Sequence, residues 1–301
     1  MNAPADRFVV AVCSGRIEDV RRRWEHNIGQ LDKDDYLVVM DCAETAEIRR
    51  VGEQIAAAGG MVHVQGERKG LSAARNHVLA AHPDRRILFL DDDVYLDRRA
   101  LDAIRDAFND GAEVVGARLL PPPERSRLPW FMTTGQMHLL GWHATWAPVK
   151  IWGACMGVDA SFAARYGLTF DLKLGRTGRR LESGDDTSFI ARMKELGARE
   201  TVLPDVGVVH DVHPERMSVR YLTRRAYWQG RSEVRRGQGR DGLRKEWRRY
   251  RNGGGTPRAF LLGLWYVGAV AVGIAHEAGP IRRWSARQGT ISVRRAGRPP
   301  R

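Results

Sequence analysis

The sequence predicts an α/β fold in which a mainly parallel sheet is flanked by helices, with a helical extension at the C-terminal end. Three observations carry that prediction. Short apolar runs, FVVAVC at 8–13, YLVVM at 36–40 and ILFL at 87–90, are unbroken rather than alternating, as in strands covered on both faces. Polar segments of helical composition lie between these runs, so strand and helix alternate through the first hundred residues. Beyond 235 the chain changes character, to basic helical sequence around an apolar stretch at 259–275.

The first strand is followed by Gly15 and a polar helix reaching His26. Charge and alanine content predict a helix at 44–58, ended by Gly59-Gly60 before a short strand at 61–64. A helix at 71–80 precedes the strand 87–90, which runs straight into Asp91-Asp92-Asp93; an amphipathic helix at 99–109 and a strand at 113–117 follow. Pro121-Pro122-Pro123 then stops regular structure, because proline removes backbone donors and restricts the residue before it. The stretch 130–152 holds Trp142, His143 and Trp146, has little periodicity and reads as a loop-rich wall. A strand at 154–158, a helix at 187–196 behind Gly184-Asp185-Asp186, a strand at 202–210 and a basic helix capped by Ser218 complete the body. The chain thus divides at 1–120, 121–235 and 236–301, and the Arg- and Gly-rich tail at 282–301 is expected to be mobile. In sheets of this kind ligands bind at the carboxyl ends of the strands.

A chain of 301 residues can bury a core without covalent staples. Cys13, Cys42 and Cys155 form no close pair and are odd in number, which points to reduced packing residues in a reducing compartment. The short polar start at 1–7 does not read as a signal peptide, so a cytoplasmic location is expected. Lys and Arg number 49 against 36 Asp and Glu, a net charge of +13 that attracts polyanions. That excess is concentrated at 224–251 and 282–301, without zinc-finger, basic-zipper or RNA-binding motifs, so specific nucleic-acid binding is not expected. The seventeen uncharged residues at 259–275 sit at the lower edge of the roughly 17–25 needed to span a membrane. Between a buried helix and a membrane-associated one, the flanking arginines favour peripheral attachment to an anionic surface on the inner face of the membrane.

Three acidic or histidine-bearing segments carry the chemistry. LFLDDDV at 88–94 brings three carboxylates to a strand end, either as an acidic loop capping the next helix or as a costly concentration of charge that a divalent cation, Mn²⁺ or Mg²⁺, relieves. ESGDDTSF at 182–189 supplies Asp185 and Asp186 before a helix, where a carboxylate serves as a cap or, with a neighbour raising its proton affinity, as a general base. VVHDVHPERMS at 208–218 places His210 at the close of an apolar run, where it is either a surface histidine or a metal ligand completing the set begun by Asp93. His213, beside Pro214, is the weaker ligand of the two.

In the order of these motifs, residues 8–235 resemble the family 2 glycosyltransferases of the GT-A, Rossmann-like fold. The resemblance implies a nucleotide-sugar-binding first half and an acceptor-binding, catalytic second half. Asp41, after YLVVM, would contact the nucleobase, and KGLSAARNHVL, with Gly70, Ala74, Arg75 and Asn76, would bind the donor. Asp91 would stand near the ribose with Asp92 beside it, and Asp93 and His210 would hold the metal. GACMGVD at 153–159 looks like the acceptor-side strand. Asp186 would be the catalytic base and Asp185 its electrostatic neighbour. YWQGRS at 227–232 departs from the QxxRW pattern of processive members, which implies a single-transfer enzyme. The implied reaction is metal-dependent, inverting transfer of a sugar from a nucleotide diphosphate sugar to an acceptor hydroxyl. The resemblance does not identify the acceptor, a small molecule, a glycan or a lipid-linked compound: the apolar stretch at 259–275 fits a lipid-linked one, and Trp142 and Trp146 as a sugar-stacking wall fit a soluble one.

Two other classes compete. A nucleotidyltransferase needs a glycine-rich basic loop after its first strand, and Cys13-Ser14-Gly15-Arg16 is a weak version of one. A noncatalytic basic module binding membranes or polyanions would explain the late apolar stretch and the arginine tail, but not three separated metal and base positions.

Overall fold

The computed structural model describes residues 8–14, 17–41, 46–64, 70–177 and 180–279. The first half unfolds in the order β1 (Phe8–Ser14), α1 (Ile17–Ile28), β2 (Tyr36–Asp41), α2 (Ala46–Ala57), β3 (Met61–Val64), α3 (Leu71–Ala81), β4 (Arg86–Leu90), β5 (Val94–Tyr95) and α4 (Arg98–Asn109). Then come β6 (Val114–Leu120), β7 (Cys155–Asp159), α5 (Ala160–Arg165), α6 (Asp185–Glu195) and β8 (Glu200–His210), followed by α7 (Val219–Arg235), α8 (Gly239–Asn252) and α9 (Pro257–Ala278). One sheet runs β3-β2-β1-β4-β7-β6-β8-β5. β3, β2, β1 and β4 are mutually parallel, as are β6 and β8, while β7 is antiparallel to both of its neighbours and β5 is antiparallel to β8.

The unbroken apolar runs follow from a sheet covered on both sides. Phe8, Val10, Val12, Leu37, Val39, Leu88 and Leu90 face one core with α4 residues Leu101, Ile104 and Phe108. The alternate residues Val9, Ala11, Val38, Met40, Ile87 and Phe89 face a second core with Val78, Phe162 and Phe189. Because side chains alternate along a strand, adjacent residues of one run enter different cores, and neither face has room for a polar side chain. Pro204 sits inside β8 without breaking it, since the β6–β8 register shifts between Ala117 and Arg118 and Arg118 donates to the Pro204 carbonyl at 2.8 Å. Cys13 and Cys155 are buried thiols, and burial pushes the Cys155 thiol up to about 12; Cys42 lies outside the described residues.

The extension forms a third core, in which Leu222 and Ala226 of α7 meet Tyr266 and Val270 of α9 beneath Met137, Leu139 and Trp142. Two glycines set the approach of α7 and α9: a Cβ on Gly230 would meet the Val270 carbonyl, and one on Gly273 would meet that of Tyr227. The apolar sequence at 259–275 is therefore half of a packed helix pair. Its other face is exposed, with Leu261 at 70%, Val272 at 60% and Trp265 at 59% accessibility. The helix is long and apolar enough to cross a membrane, though one side of it is already covered by α7. The tail from 282 lies outside the described residues.

Candidate active site

The site assembles where the carboxyl end of β4 meets that of β8. Pairing of β5 with β8 sets Val94 opposite His210, and Asp211 N donates to Asp93 O at 2.7 Å. Those backbone contacts bring Asp91, Asp93 and His210 together, with one ligand atom from each within 4.8 Å of the others. His210 Nε2 lies 2.8 Å from Asp93 Oδ1, while its Nδ1 faces the Gly141 carbonyl at 3.2 Å. A proton on Nδ1 held by that carbonyl leaves Nε2 directed at the two carboxylates, the orientation a metal-ligating imidazole needs. Two carboxylates and one imidazole, largely buried, suit a divalent cation that accepts oxygen and nitrogen, such as Mn²⁺.

Neighbouring charges act on this group as well. Burial acts to raise the Asp93 pKa, but His210 and Arg216, whose guanidinium donates to Asp93 Oδ2 at 2.6 Å, outweigh it and hold the carboxyl far below the usual range. Burial likewise opposes charge on His210, and the Asp93 carboxylate reverses that and raises its pKa. Around this group, Asn27 Nδ2 donates to the Val94 carbonyl at 3.2 Å and Asn27 Oδ1 accepts from Leu96 N at 2.8 Å. Arg23 and Arg125 clamp the Asp211 carboxylate, each at 2.8 Å. Sequence reasoning missed Arg216, Arg23, Asn27, Arg125 and Asp211. Only Arg216 and Asp211 had any local signal, as members of VVHDVHPERMS.

The acid pair is placed by α6, and here the expectation needs correcting. The helix does not start behind Gly184-Asp185-Asp186; Gly184, at φ 94°, is its N-cap and has no side chain to cap with, so both aspartates occupy the first turn. The positive end of the helix favours them there. Their side chains diverge. Asp185 is buried, and its Oδ2 accepts from Arg75 at 2.7 Å. Asp186 is half-buried: its Oδ2 accepts from Gly153 N at 2.7 Å and its Oδ1 from Thr187 N at 2.6 Å. Burial raises the Asp185 pKa against the opposing Arg75 charge, with Asp186 adding to the rise.

Arg75 ties these parts together. Beyond Asp185 it donates to the Gly153 carbonyl at 2.9 Å and lies 3.5 Å from Asp91, with its guanidinium over Phe170 and Phe89. It is thus enclosed between carboxylates rather than standing open at the start of a helix. Gly70, at φ 130°, lets the chain enter α3 against the 176–177 segment, where Leu71 N donates to the Arg176 carbonyl at 3.2 Å. Asn76 lies away from the cleft and braces Phe170 through its amide. Asp92 offers its backbone carbonyl to Arg23 at 3.3 Å. Asp41 closes β2 beside Ser14 and Val64, and its side chain lies outside the described residues.

Arg75, Asp91, Asp185, Asp186 and His210 line one open cleft, bounded also by Trp152–Ala154, Arg225, Gln229 and Lys245. The YWQGRS segment enters here: Gln229 accepts from Ser183 Oγ at 3.0 Å and Ser232 Oγ accepts from Ser183 N at 3.1 Å, which fixes the loop before the acid pair. Trp142 is not a sugar-stacking wall. It is fully buried, with Nε1 donating to the His210 carbonyl at 2.8 Å, because its ring completes the third core. Trp146 is exposed and lines an adjoining groove with Trp152. His213 caps a single 3₁₀ turn at Pro214–Arg216 and takes no part in the group.

Comparison with known proteins bears on this arrangement. Residues 8–156 match the sequence profile described as glycosyl transferase family 2. No curated protein matches by sequence search. Among solved structures, the mannosyltransferase PcManGT from Pyrobaculum calidifontis, in complex with GDP-Man and Mn2+, is 18% identical, with 97% of this chain and 83% of that one covered and a TM-score of 0.53. The 1–349 fragment of S. aureus TarS is 14% identical over 95% of this chain and 76% of that one, TM-score 0.50. A mycobacterial protein is 19% identical over 77% and 75%, also with a TM-score of 0.50. At these identities the likeness is one of fold.

Proposed function

The chain belongs to glycosyl transferase family 2, a GT-A glycosyltransferase, and from that membership we propose that it moves one sugar, with inversion, from a nucleoside diphosphate donor to an acceptor hydroxyl, assisted by Mn²⁺ or Mg²⁺. The observation that carries this reading is the convergence, in one cleft, of a half-buried Asp186 with Asp91 and His210, which form a close group with the buried Asp93. The complex of PcManGT with GDP-Man and Mn2+ supports the same donor class and metal.

A bound divalent cation would be held by Asp91, Asp93 and His210, and would neutralise charge on the departing diphosphate. Asp186 takes the proton of the attacking hydroxyl. Its carboxylate is oriented for that by Gly153 N and Thr187 N, and its half-exposed position leaves it open to the acceptor. Asp185 is the electrostatic neighbour: it holds Arg75, which in turn balances Asp91, so the donor-side and acceptor-side carboxylates share one buried cation. Asp41, Gly70, Arg75 and Asp92 complete the donor side. The nucleotidyltransferase reading lacks a comparable observation.

The exposed face of α9 supports the further reading that the enzyme works against an anionic membrane surface, on a small-molecule, glycan or lipid-linked acceptor. The deciding experiment is a nucleotide-sugar panel with Mn²⁺, analysed by product mass. Release of a nucleoside diphosphate with transfer or hydrolysis of the sugar is expected. Pyrophosphate formed from a nucleoside triphosphate, or no metal-dependent nucleotide-sugar binding across the panel, would overturn the reading.

A further inference from the structure

We propose that the acceptor carries a phosphate group, and that this anion is held by Arg225, Lys150 and Lys245 on the wall of the cleft built by α7, α8 and the segment before Trp152. The inference rests on the sugar-transfer reading and names the class of acceptor.

Charge in the cleft is unbalanced. The cleft is lined by seven Lys and Arg side chains and by five Asp and Glu. Three of the cations are matched: Arg75 by Asp185, Arg236 by Glu233 and Arg249 by Glu246. Among the described residues Arg176, Arg225, Lys150 and Lys245 form no ion pair.

Arg225 is the most telling. It is 9% exposed, its Nη1 donates only to the neutral Ser183 Oγ and Gln229 Oε1, each at 3.2 Å, and its Nε has no partner among the described residues. Burial, and then the charge of Arg176, pull its pKa down to about 10. A guanidinium desolvated among neutral groups is costly, and an incoming oxyanion offsets that cost with charge-assisted hydrogen bonds. Lys150, exposed on the same wall, also forms no ion pair among the described residues, and partial desolvation together with the charges of Arg249 and Lys245 holds its ammonium below its ordinary range.

Position assigns these cations to the acceptor rather than to the donor diphosphate. Arg216 and Arg176 are the arginines that act on Asp93. Arg225 donates to Ser183, three residues before Asp186 in the loop that leads into the acid pair, and Lys150 and Lys245 line the same cleft as Asp186. Lys150, Lys245 and Arg249 also line the adjoining groove with Trp146 and Trp152. A molecule that reaches Asp186 with its hydroxyl and continues into that groove must pass the cations.

The test uses the full chain with saturating Mn²⁺ and a nucleoside diphosphate that binds, titrated calorimetrically with glycerol 3-phosphate and with glycerol as the neutral control. Parallel arms measure flotation with phosphatidylcholine vesicles with and without phosphatidic acid, which separates a lipid headgroup from a soluble phosphate ester. Glycerol 3-phosphate, or the phosphatidic acid surface, is expected to bind beside the nucleotide. In the Lys150→Gln/Lys245→Gln variant that binding should weaken about tenfold for each charge-assisted hydrogen bond removed, with nucleotide affinity and melting temperature unchanged. Both side chains reach solvent, so this variant is expected to fold; Arg225→Gln serves as a second. Binding in neither arm, binding that competes with nucleotide, or equal binding by the Lys150→Gln/Lys245→Gln variant would overturn the proposal. Failure of the nucleotide itself to bind would count instead against the donor reading, and the same titration without nucleotide keeps the two outcomes distinct.

Discussion

His210 Nε2 lies 2.8 Å from Asp93 Oδ1 although 117 residues separate them. The contact exists because the two-residue strand β5 pairs with the last residues of β8 and brings a strand end to the acidic turn after β4. The neighbouring Arg216 supplies a second positive group to the same carboxylate, so Asp93 is the focus of charge at this edge of the sheet.

Replacing Asp93 therefore acts on both affinity and fold. Asp93→Asn keeps the volume and one acceptor oxygen but removes the charge, and is expected to weaken Mn²⁺-dependent binding of the nucleoside diphosphate by about tenfold or more, since a ligating carboxylate is lost. Titration of nucleotide with and without Mn²⁺ reads the effect. An unchanged metal dependence in a folded variant would remove Asp93 from the ligand set.

Asp185 and Asp186 should fail in different ways. Asp186→Asn is expected to lower single-turnover transfer by about 10²-fold or more while retaining nucleotide binding, the scale of a lost general base. Asp185→Asn leaves Arg75 buried beside a neutral amide, and is expected to cost about 3 kcal/mol of stability or more, as for a broken buried pair. Transfer kinetics together with denaturant unfolding separate the two. A stable Asp185→Asn that alone loses transfer would move the base by one residue.

Acid stability should depend on His143. Its Nδ1 accepts from Leu119 N at 2.9 Å, and its Nε2 faces the Lys150 carbonyl at 2.9 Å, so the fold requires the neutral ring. Burial, above all, depresses its pKa to about 4 from the ordinary histidine value of 6.5. The unfolded chain then binds the proton first as pH falls. The contribution is fully present above 6.5, declines through the window down to about 4, and amounts to about 3 kcal/mol. Melting curves of wild type and His143→Gln, which keeps a donor and an acceptor without titrating, should converge in their pH dependence only outside this window. Parallel curves across it would rule out His143 as the source.

The outward face of α9 can be tested without dismantling its packing. Removing the helix would uncover Leu222 and Ala226, whereas Leu261→Gln and Val272→Gln alter only exposed positions. The doubly substituted protein is expected to melt within about 0.5 kcal/mol of wild type, as surface changes do. It should also float less with anionic liposomes. Equal flotation of the two proteins would remove this face from membrane binding.

What the sequence determined by itself was the periodic and the local. FVVAVC, YLVVM and ILFL are strands because burial on both faces excludes polar residues at every position, and an acidic triplet at a strand end is visible in one dimension. The motif order that marks the family is equally linear. Tertiary structure decided everything that depends on direction or on distant partners. Asp185 and Asp186 are indistinguishable as letters, yet the first turn of α6 aims one at Arg75 and leaves the other facing the cleft. Trp142 reads as a surface aromatic until α7 and α9 close over it, and Arg225 as one basic residue among many until its neighbours prove neutral. Helical side chains fan out by about 100° per residue. Neighbours in sequence therefore meet different surroundings, and those surroundings are supplied by chain a hundred residues away.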